Sequence, residues 1–209
     1  MTVQILLEGD TMDEAYYTGD NAQIVPTDTC KNTVYCLAKL NDFNSIEDFG
    51  IIIARHFLKE YPHVVNRVSV ELNKDRWERV SVPDSTGTVR EHKHCFKRLG
   101  PAQPFARVVG SKKSSAPVSL TVTSGIRNLN LLKTTQSGFV GFHKDRYTSL
   151  PESTERFLGT SVLAEWTYAP NTLSLSFNAV SICRTSRIMC TGGADSRRDY
   201  CGNVRWTCG

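Results

Sequence analysis

The chain has 209 residues, with 25 Lys and Arg against 21 Asp and Glu and a formal net charge of +4, enough for one large domain or two small ones. A hydrophobic fraction of 40% with nearly balanced charge is typical of a soluble globular protein and excludes a disordered one. No apolar stretch approaches the roughly 20 residues of a membrane helix. Residues 181–209 hold most of the net positive charge, so the rest of the chain lacks the basic surface expected of a nucleic-acid-binding protein.

The N-terminal part of the chain predicts short strands followed by a helix. Residues 3–8 read as a strand without the basic start of a secretory signal, and a turn-rich segment separates them from a second short strand at 22–25. Hydroxyl and carboxylate side chains at 27–29 can cap a helix that continues to about Leu40. The face of this helix expected to be buried consists of Cys30, Val34, Leu37 and Ala38.

A second helix is predicted from Ser45 to about Glu60. Ser45 followed three residues later by Asp48 resembles a capping box, with Asp in place of the usual Glu. Apolar residues recur at helical spacing along one stripe, which indicates the side that faces a core. The residues of this stripe are Ile46, Phe49, Ile53 and Phe57.

Most of the remaining chain to residue 180 reads as strands. Residues 63–77 form a β-branched run in which Val68, Val70 and Leu72 alternate as strand residues do. A loop tip is expected at 84–87 and a polar junction at 111–115. Further strands are expected at 92–96, 105–109, 118–124, 129–135 and 159–168. Strands, two helices and then strands predict an α+β fold with an antiparallel sheet and helices on one face.

His92, His94 and Cys95 raise the question of a metal site. On a strand the two histidines would face the same side. They form only a weak zinc signal, because no second cluster has ligand spacing, and the cysteines of the tail are spaced by seven, eleven and seven residues instead of as CxxC pairs. We therefore predict no metal site, and an odd number of cysteines without a repeating pattern predicts reduced thiols in an intracellular protein.

The segment 131–156 combines several side chains that could bind a ligand. It contains Lys133-Thr134-Thr135, then Phe139, Phe142, Tyr147, Leu150 and Arg156. An aromatic ring can stack on a flat heterocycle, and a guanidinium can grip two acceptors in its plane. The commoner alternative to ligand binding is that the aromatic residues pack in the core and that Arg156 is solvated or forms a salt bridge.

At these spacings the segment resembles the diagnostic segment of the urate oxidase (uricase) family. A second stretch, beginning Thr27-Asp28-Thr29, resembles the family's Thr-Asp-Ser-x-Lys-Asn-Thr motif with Thr29 in place of Ser. The resemblance implies that Phe139 stacks on urate and that Arg156 binds its edge. It also implies that Thr27 is catalytic and contacts urate, and that Asp28 binds through its backbone. We assign Phe142 and Tyr147 to packing and His143 to the surface.

The resemblance covers about residues 3–180 and implies the tunnelling fold (T-fold), built from tandem repeats. We expect residues 1–112 to form a first repeat that lacks its first strand, 113–180 to begin a second, truncated repeat, and 181–209 to be an unmatched tail of no assignable fold. The family's catalytic Lys lies on that first strand, and no Lys precedes Thr27 here. We therefore expect little or no activity from these 209 residues alone.

The function implied is oxidation of urate by dioxygen to 5-hydroxyisourate and hydrogen peroxide in purine catabolism, without a cofactor or metal. The partners implied are urate, dioxygen and other copies of the chain, which would form a homotetramer with active sites at the subunit interfaces. The resemblance implies that the protein is located in the peroxisome, although no targeting tripeptide is visible. It implies no nucleic-acid or membrane partner. One alternative is a catalytically incompetent T-fold remnant that binds purine weakly or only assembles. Another is a different tunnelling-fold pterin or purine enzyme, such as one of the cyclohydrolase type, although such enzymes often need a zinc site that this sequence lacks.

Overall fold

The computed structural model describes residues 1–83, 86–112 and 117–169, together with the backbone of two strands at 185–191 and 204–207. The predicted loop tip at 84–87 and junction at 111–115 lie partly outside the described residues. The elements are β1 (Thr2–Glu8), α1 (Glu14–Tyr17), α2 (Thr27–Leu40), α3 (Ile46–Glu60), β2 (Arg67–Asn73), β3 (Trp77–Pro83), β4 (Val89–Arg98), β5 (Gln103–Ser111), β6 (Ser119–Lys133), β7 (Leu158–Thr167), β8 (Thr185–Thr191) and β9 (Val204–Thr207).

Seven strands form one sheet in the order β1-β2-β5-β6-β7-β8-β9, and β3 and β4 form a separate two-stranded ribbon. Every neighbouring pair from β1 to β8 is antiparallel, while β8 and β9 are parallel. The helix α3 packs across β2 and β5. This arrangement confirms the predicted α+β class and antiparallel sheet. None of the helices formed by the described residues has the length and hydropathy of a membrane-crossing segment.

The hydrophobic core lies between α3 and the sheet. Val68, Val70 and Leu72 of β2 are fully buried, as their alternation predicts, because successive strand side chains point to opposite faces. The facing stripe of α3 is equally buried and includes Phe49, Ile53 and Phe57. At the start of α3 the Ser45 hydroxyl accepts a hydrogen bond from the Asp48 amide at 3.0 Å, which confirms the predicted cap.

Three expectations for the N-terminal region are wrong in detail. Residues 22–25 form turn and coil instead of a strand, because the Asp20 carboxylate accepts from the Ala22 amide at 2.9 Å and draws the chain into a turn. The helix α2 has the predicted bounds, but Pro26 occupies its N-cap position without a side-chain cap hydrogen bond. Ala38 is exposed, since only the stripe through Cys30, Val34 and Leu37 packs against the core.

The strands also differ from the prediction in how they are divided. The two strands expected at 118–124 and 129–135 form the single strand β6, whose pairing with β7 shifts register between Ile126 and Leu129. Asn128 adopts a φ of 57° at this bulge, a conformation that Asn tolerates better than most residues. The run 63–77 is shorter as a strand than expected, because β2 ends at Asn73 and the ribbon strand β3 begins at Trp77.

The tail 181–209 was expected to have no assignable fold, and the structure corrects this for two segments. The strand β8 pairs with β7, and β9 pairs with β8. The backbone of β7 offers hydrogen-bonding groups on both edges, so a following segment can extend the sheet without a strong apolar pattern of its own.

The sheet face opposite α3 carries a charged network centred on Glu71. The Glu71 carboxylate accepts from Arg127 at 2.9 Å and from Arg107 at 3.1 Å. The Arg127 guanidinium also lies 3.9 Å from the centroid of the Phe105 ring, and Arg107 is 3.7 Å from Glu165. These contacts tie β2, β5, β6 and β7 together on the face that α3 does not cover.

This network predicts a pH-dependent contribution to stability. The hydrogen bond from Arg127, supported by Arg107, holds the pKa of Glu71 below its ordinary value of 4.5. A carboxylate with a lowered folded-state pKa stabilises the fold above its unfolded-state pKa, and this contribution is lost as the pH falls through the folded-state value. We expect Glu71→Gln to lower the free energy of unfolding at neutral pH by about 1–2 kcal/mol, the exposure of both arginines limiting the effect.

Urea unfolding of the parent and of Glu71→Gln at neutral pH and at successive values below 4.5 tests this expectation. The difference between the two proteins should shrink as the pH falls, since protonation removes the charge that the variant lacks. Glu60→Gln, at the exposed end of α3, serves as the control and should change stability by less than about 0.5 kcal/mol. A difference that stays constant across this pH range would contradict the prediction.

Candidate active site

The segment between β6 and β7 folds back on itself, so that Phe139 pairs with Ser153, three residues before Arg156. The Phe139 amide donates to the Ser153 carbonyl at 2.7 Å, and the Ser153 amide donates to the Phe139 carbonyl at 3.1 Å. This antiparallel bridge divides the segment into an outgoing limb that carries Phe139 and a returning limb that carries Arg156. The structure thus brings these two predicted site residues onto one loop.

Phe139 is half-buried, and its ring is held by Phe142. The two rings are nearly parallel, with centroids 4.4 Å apart and an angle of 8° between their planes. Behind them the Lys144 ammonium lies 5.4 Å from the Phe142 centroid and forms an ion pair with Glu152 at 2.8 Å. Because Phe142 covers one face of Phe139, a flat ligand can stack only on the other face.

Tyr147 does not pack in the core, contrary to its assignment from the sequence, and is 77% exposed. The Asp145 carboxylate accepts from the Tyr147 amide at 2.9 Å and from the Thr148 hydroxyl at 3.0 Å, forming a tight turn that projects Tyr147 outward. The first of these bonds, with the second, lowers the pKa of Asp145 below its ordinary value. His143 is exposed, as expected.

Arg156 is half-buried at the end of the returning limb. Across residues 1–83, 86–112 and 117–169, its guanidinium takes part in no hydrogen bond or ion pair with a protein group. A partly buried charge without a partner is unusual, since desolvation disfavours it. The free donors of this side chain can therefore bind an anionic ligand with two acceptors in one plane.

The base of the same loop is closed by hydrogen bonds from Gln136 to Glu155 and from Lys133 to Gln136. The sequence alone did not point to this interaction. The backbone amide of Gln136 donates to the Glu155 carboxylate at 2.6 Å, and the backbone carbonyl of Gln136 accepts from the Lys133 ammonium at 2.5 Å. Gln136 has a φ of 57°. A Gln carries no sequence signal for this conformation, which Gly or Asn would have suggested.

Thr27 and Asp28 occupy the first turn of α2, and both are exposed. The Asp28 carboxylate accepts from Lys31 at 2.7 Å and from Asn32 at 2.8 Å, and the bond from Lys31 lowers the pKa of Asp28. The first backbone amide of α2 with a helical hydrogen bond is that of Cys30, which donates to the Pro26 carbonyl at 3.1 Å. The amide of Asp28 therefore stays available for a ligand, while its side chain is already engaged.

The start of α2 and the β6–β7 segment are not joined by a polar or ring contact between their site residues in the described part of the chain. Among the described residues, no hydrogen bond, ion pair or ring contact joins Thr27 or Asp28 to Phe139 or Arg156. The predicted site residues thus fall into two groups, one at the start of α2 and one between β6 and β7, that do not hold each other directly.

The histidines considered as metal ligands lie on the ribbon strand β4. His92, His94 and Cys95 are exposed, and the His94 amide donates to His92 Nδ1 at 3.2 Å. In the part of the chain that the structure describes, no group of three or more His, Cys, Asp or Glu side chains is arranged to hold a metal ion.

Comparison with known proteins identifies one family. The family model described as Uricase matches residues 1–109 and 122–191. A uricase of Dictyostelium discoideum is 43% identical over 177 residues, covering 85% of this chain and 58% of the relative. A uricase of Danio rerio is 40% identical over 193 residues, covering 92% of this chain and 61% of the relative.

Solved structures agree with the sequence relatives. The crystal structure of a uricase from Bacillus fastidious matches with a TM-score of 0.70 at 26% identity, covering 80% of this chain and 51% of that one. The chain thus spans between half and about three fifths of the length of the proteins it matches. The matched residues continue to 191, so the expectation that nothing beyond Val180 resembles the family is wrong for residues 181–191. The family model covers most of the sequence and the fold agrees with it, and the chain belongs to the uricase family.

Proposed function

We propose that this chain binds urate and contributes to its oxidation by dioxygen to 5-hydroxyisourate and hydrogen peroxide. The observation that carries the proposal is the occurrence, on one closed loop, of an aromatic ring that Phe142 stacks on from one face only and a half-buried guanidinium that lacks a described partner. A planar purine anion has the shape for the first and the acceptors for the second. Among planar anions we propose urate because the relatives of this chain are uricases.

The chemistry follows from the electron-rich character of the urate anion. Urate loses two electrons and dioxygen gains them to become hydrogen peroxide, while water supplies the added hydroxyl group, so atoms and electrons balance without a cofactor. Phe139 orients the ring plane, and Arg156 stabilises the negative charge on its edge. The Thr27 hydroxyl passes protons to and from the substrate, normally with a Lys as general base.

We further propose that the two groups of site residues meet between copies of the chain in a homotetramer. The lack of a hydrogen bond, ion pair or ring contact between the two groups among the described residues supports this, and so does the family resemblance, which implies that the two motifs come from different subunits. Residues 1–112 are proposed as a first T-fold repeat and 113–180 as the beginning of a second. Purine catabolism in the peroxisome is the proposed setting, by family resemblance.

Anaerobic titration of the chain with urate tests binding without turnover, and oxygen uptake with loss of urate absorbance then tests oxidation. We expect measurable binding by the 209-residue chain and oxidation only by a version extended to the length of its relatives. Absence of binding by both versions would refute the proposed function. Binding without oxidation by the extended version would favour the non-catalytic alternative.

A further inference from the structure

We propose that Glu155 is a positioning residue of the urate site, acting through the backbone of Gln136 to fix Phe139 relative to Arg156. The inference rests on the proposed function, and it adds a residue that touches no substrate. It arises from a backbone conformation and three contacts at the base of the β6–β7 loop.

Gln136 is held in a conformation that it would not adopt by itself. Its φ of 57° lies in the left-handed region, where the side chain of an L-residue crowds the backbone. Such a conformation persists when the surroundings hold it in place. Here both backbone polar groups are bound by charged side chains, the amide by Glu155 at 2.6 Å and the carbonyl by Lys133 at 2.5 Å.

The two charged residues come from opposite limbs of the loop. Lys133 is the last residue of β6, on the outgoing limb, and Glu155 lies on the returning limb directly before Arg156. Gln136 is three residues before Phe139. The bond between Glu155 and Gln136 therefore joins the limbs beside both ligand-binding side chains.

Glu155 is itself fixed by the bridge that pairs the limbs. The Ser153 hydroxyl donates to the Glu155 carbonyl at 2.7 Å, and Ser153 is the residue whose backbone pairs with Phe139. The Glu155 carboxylate thus closes the loop at Gln136, three residues before Phe139, and the Ser153 backbone closes it at Phe139 itself. With both closures in place, neither limb can slide along the other, and the ring plane and the guanidinium keep one relative position.

A carboxylate suits this task better than a neutral side chain. Its bond to the Gln136 amide is charge-assisted and short, and it opposes the return of Gln136 to an ordinary conformation. Without it the outgoing limb could relax, and Phe139 would have several positions from which to meet urate. Loss of a preorganised geometry weakens binding and slows reaction even when every contact to the ligand remains available.

The test compares Glu155→Ala, Glu155→Gln and the parent chain by amide hydrogen exchange and by anaerobic urate titration. In Glu155→Ala we expect exchange at Gln136, Phe139 and Ser153 to be about tenfold faster and urate affinity to fall roughly tenfold. Glu155→Gln keeps an acceptor oxygen and should recover most of both losses. Glu78→Ala removes an exposed ion pair with Lys97 on the β3–β4 ribbon, away from this loop, and should match the parent.

The outcomes separate the two claims. A parent chain that binds no urate would refute the proposed function and the positioning role with it. A parent that binds urate, with unchanged exchange and affinity in Glu155→Ala, would refute the positioning role alone. The positioning role would also be overturned if Glu155→Ala and Glu155→Gln both lowered the urea midpoint and Glu155→Gln did not restore the exchange rates of the parent. Glu155 would then act on general stability.

Discussion

Replacing Arg156 with Gln is expected to weaken anaerobic urate binding by about 100-fold, or roughly 2.8 kcal/mol. The half-buried Arg156 guanidinium has no partner among the described residues, so its donors are free for the ligand. Each hydrogen bond between charged groups contributes about 1.5–3 kcal/mol, and two bonds to one ligand are less than additive. Arg156→Lys should fall between parent and Gln variant, since it keeps the charge and loses the planar pair of donors.

The matched control is Arg146→Gln on the same loop. The Arg146 guanidinium lies over the exposed ring of Tyr147, 4.7 Å from its centroid, on the outward turn. This variant removes the same charge from the same segment and should leave urate affinity unchanged within about twofold. Equal losses for both variants would show that Arg156 contributes through general electrostatic attraction, and the proposed contact would be wrong.

Replacing Phe57 with Ala is expected to lower the free energy of unfolding by about 3–5 kcal/mol. Phe57 is fully buried in α3, and its ring stacks on Tyr61 with centroids 5.9 Å apart. The truncation removes apolar surface from the centre of the core and leaves a cavity that the helix and sheet can fill only in part. Urea unfolding should show a lower midpoint with an unchanged slope.

Phe157→Ala is the matched control for this prediction. The same side chain is 73% exposed at that position, so its removal should change the free energy of unfolding by less than about 0.5 kcal/mol. Similar losses at the two positions would contradict the assignment of the core to the layer between α3 and the sheet.

Much of the fold could be read from local patterns because local physics produces them. The helical spacing of Phe49, Ile53 and Phe57 and the alternation of Val68 and Val70 reflect burial of one face, which acts within each element. The Ser45 cap depends on a residue three positions away. Where the pattern misled, as at 22–25, a turn hydrogen bond from the Ala22 amide to the Asp20 carboxylate competed with the strand.

The sequence by itself determined the fold class, the family and the kinds of side chain that could bind a flat anion, Phe139 and Arg156. It could not show that Phe142 covers one face of Phe139, that Arg156 has no described partner, or that Thr27 makes no hydrogen bond to Arg156 among the described residues. Only the tertiary structure decided these, along with the hydrogen bond from the Gln136 backbone amide to the Glu155 carboxylate, which joins residues 19 apart in the sequence. The physical reason is that contacts between distant residues form when the chain closes its loops, and local preference contains no record of that closure.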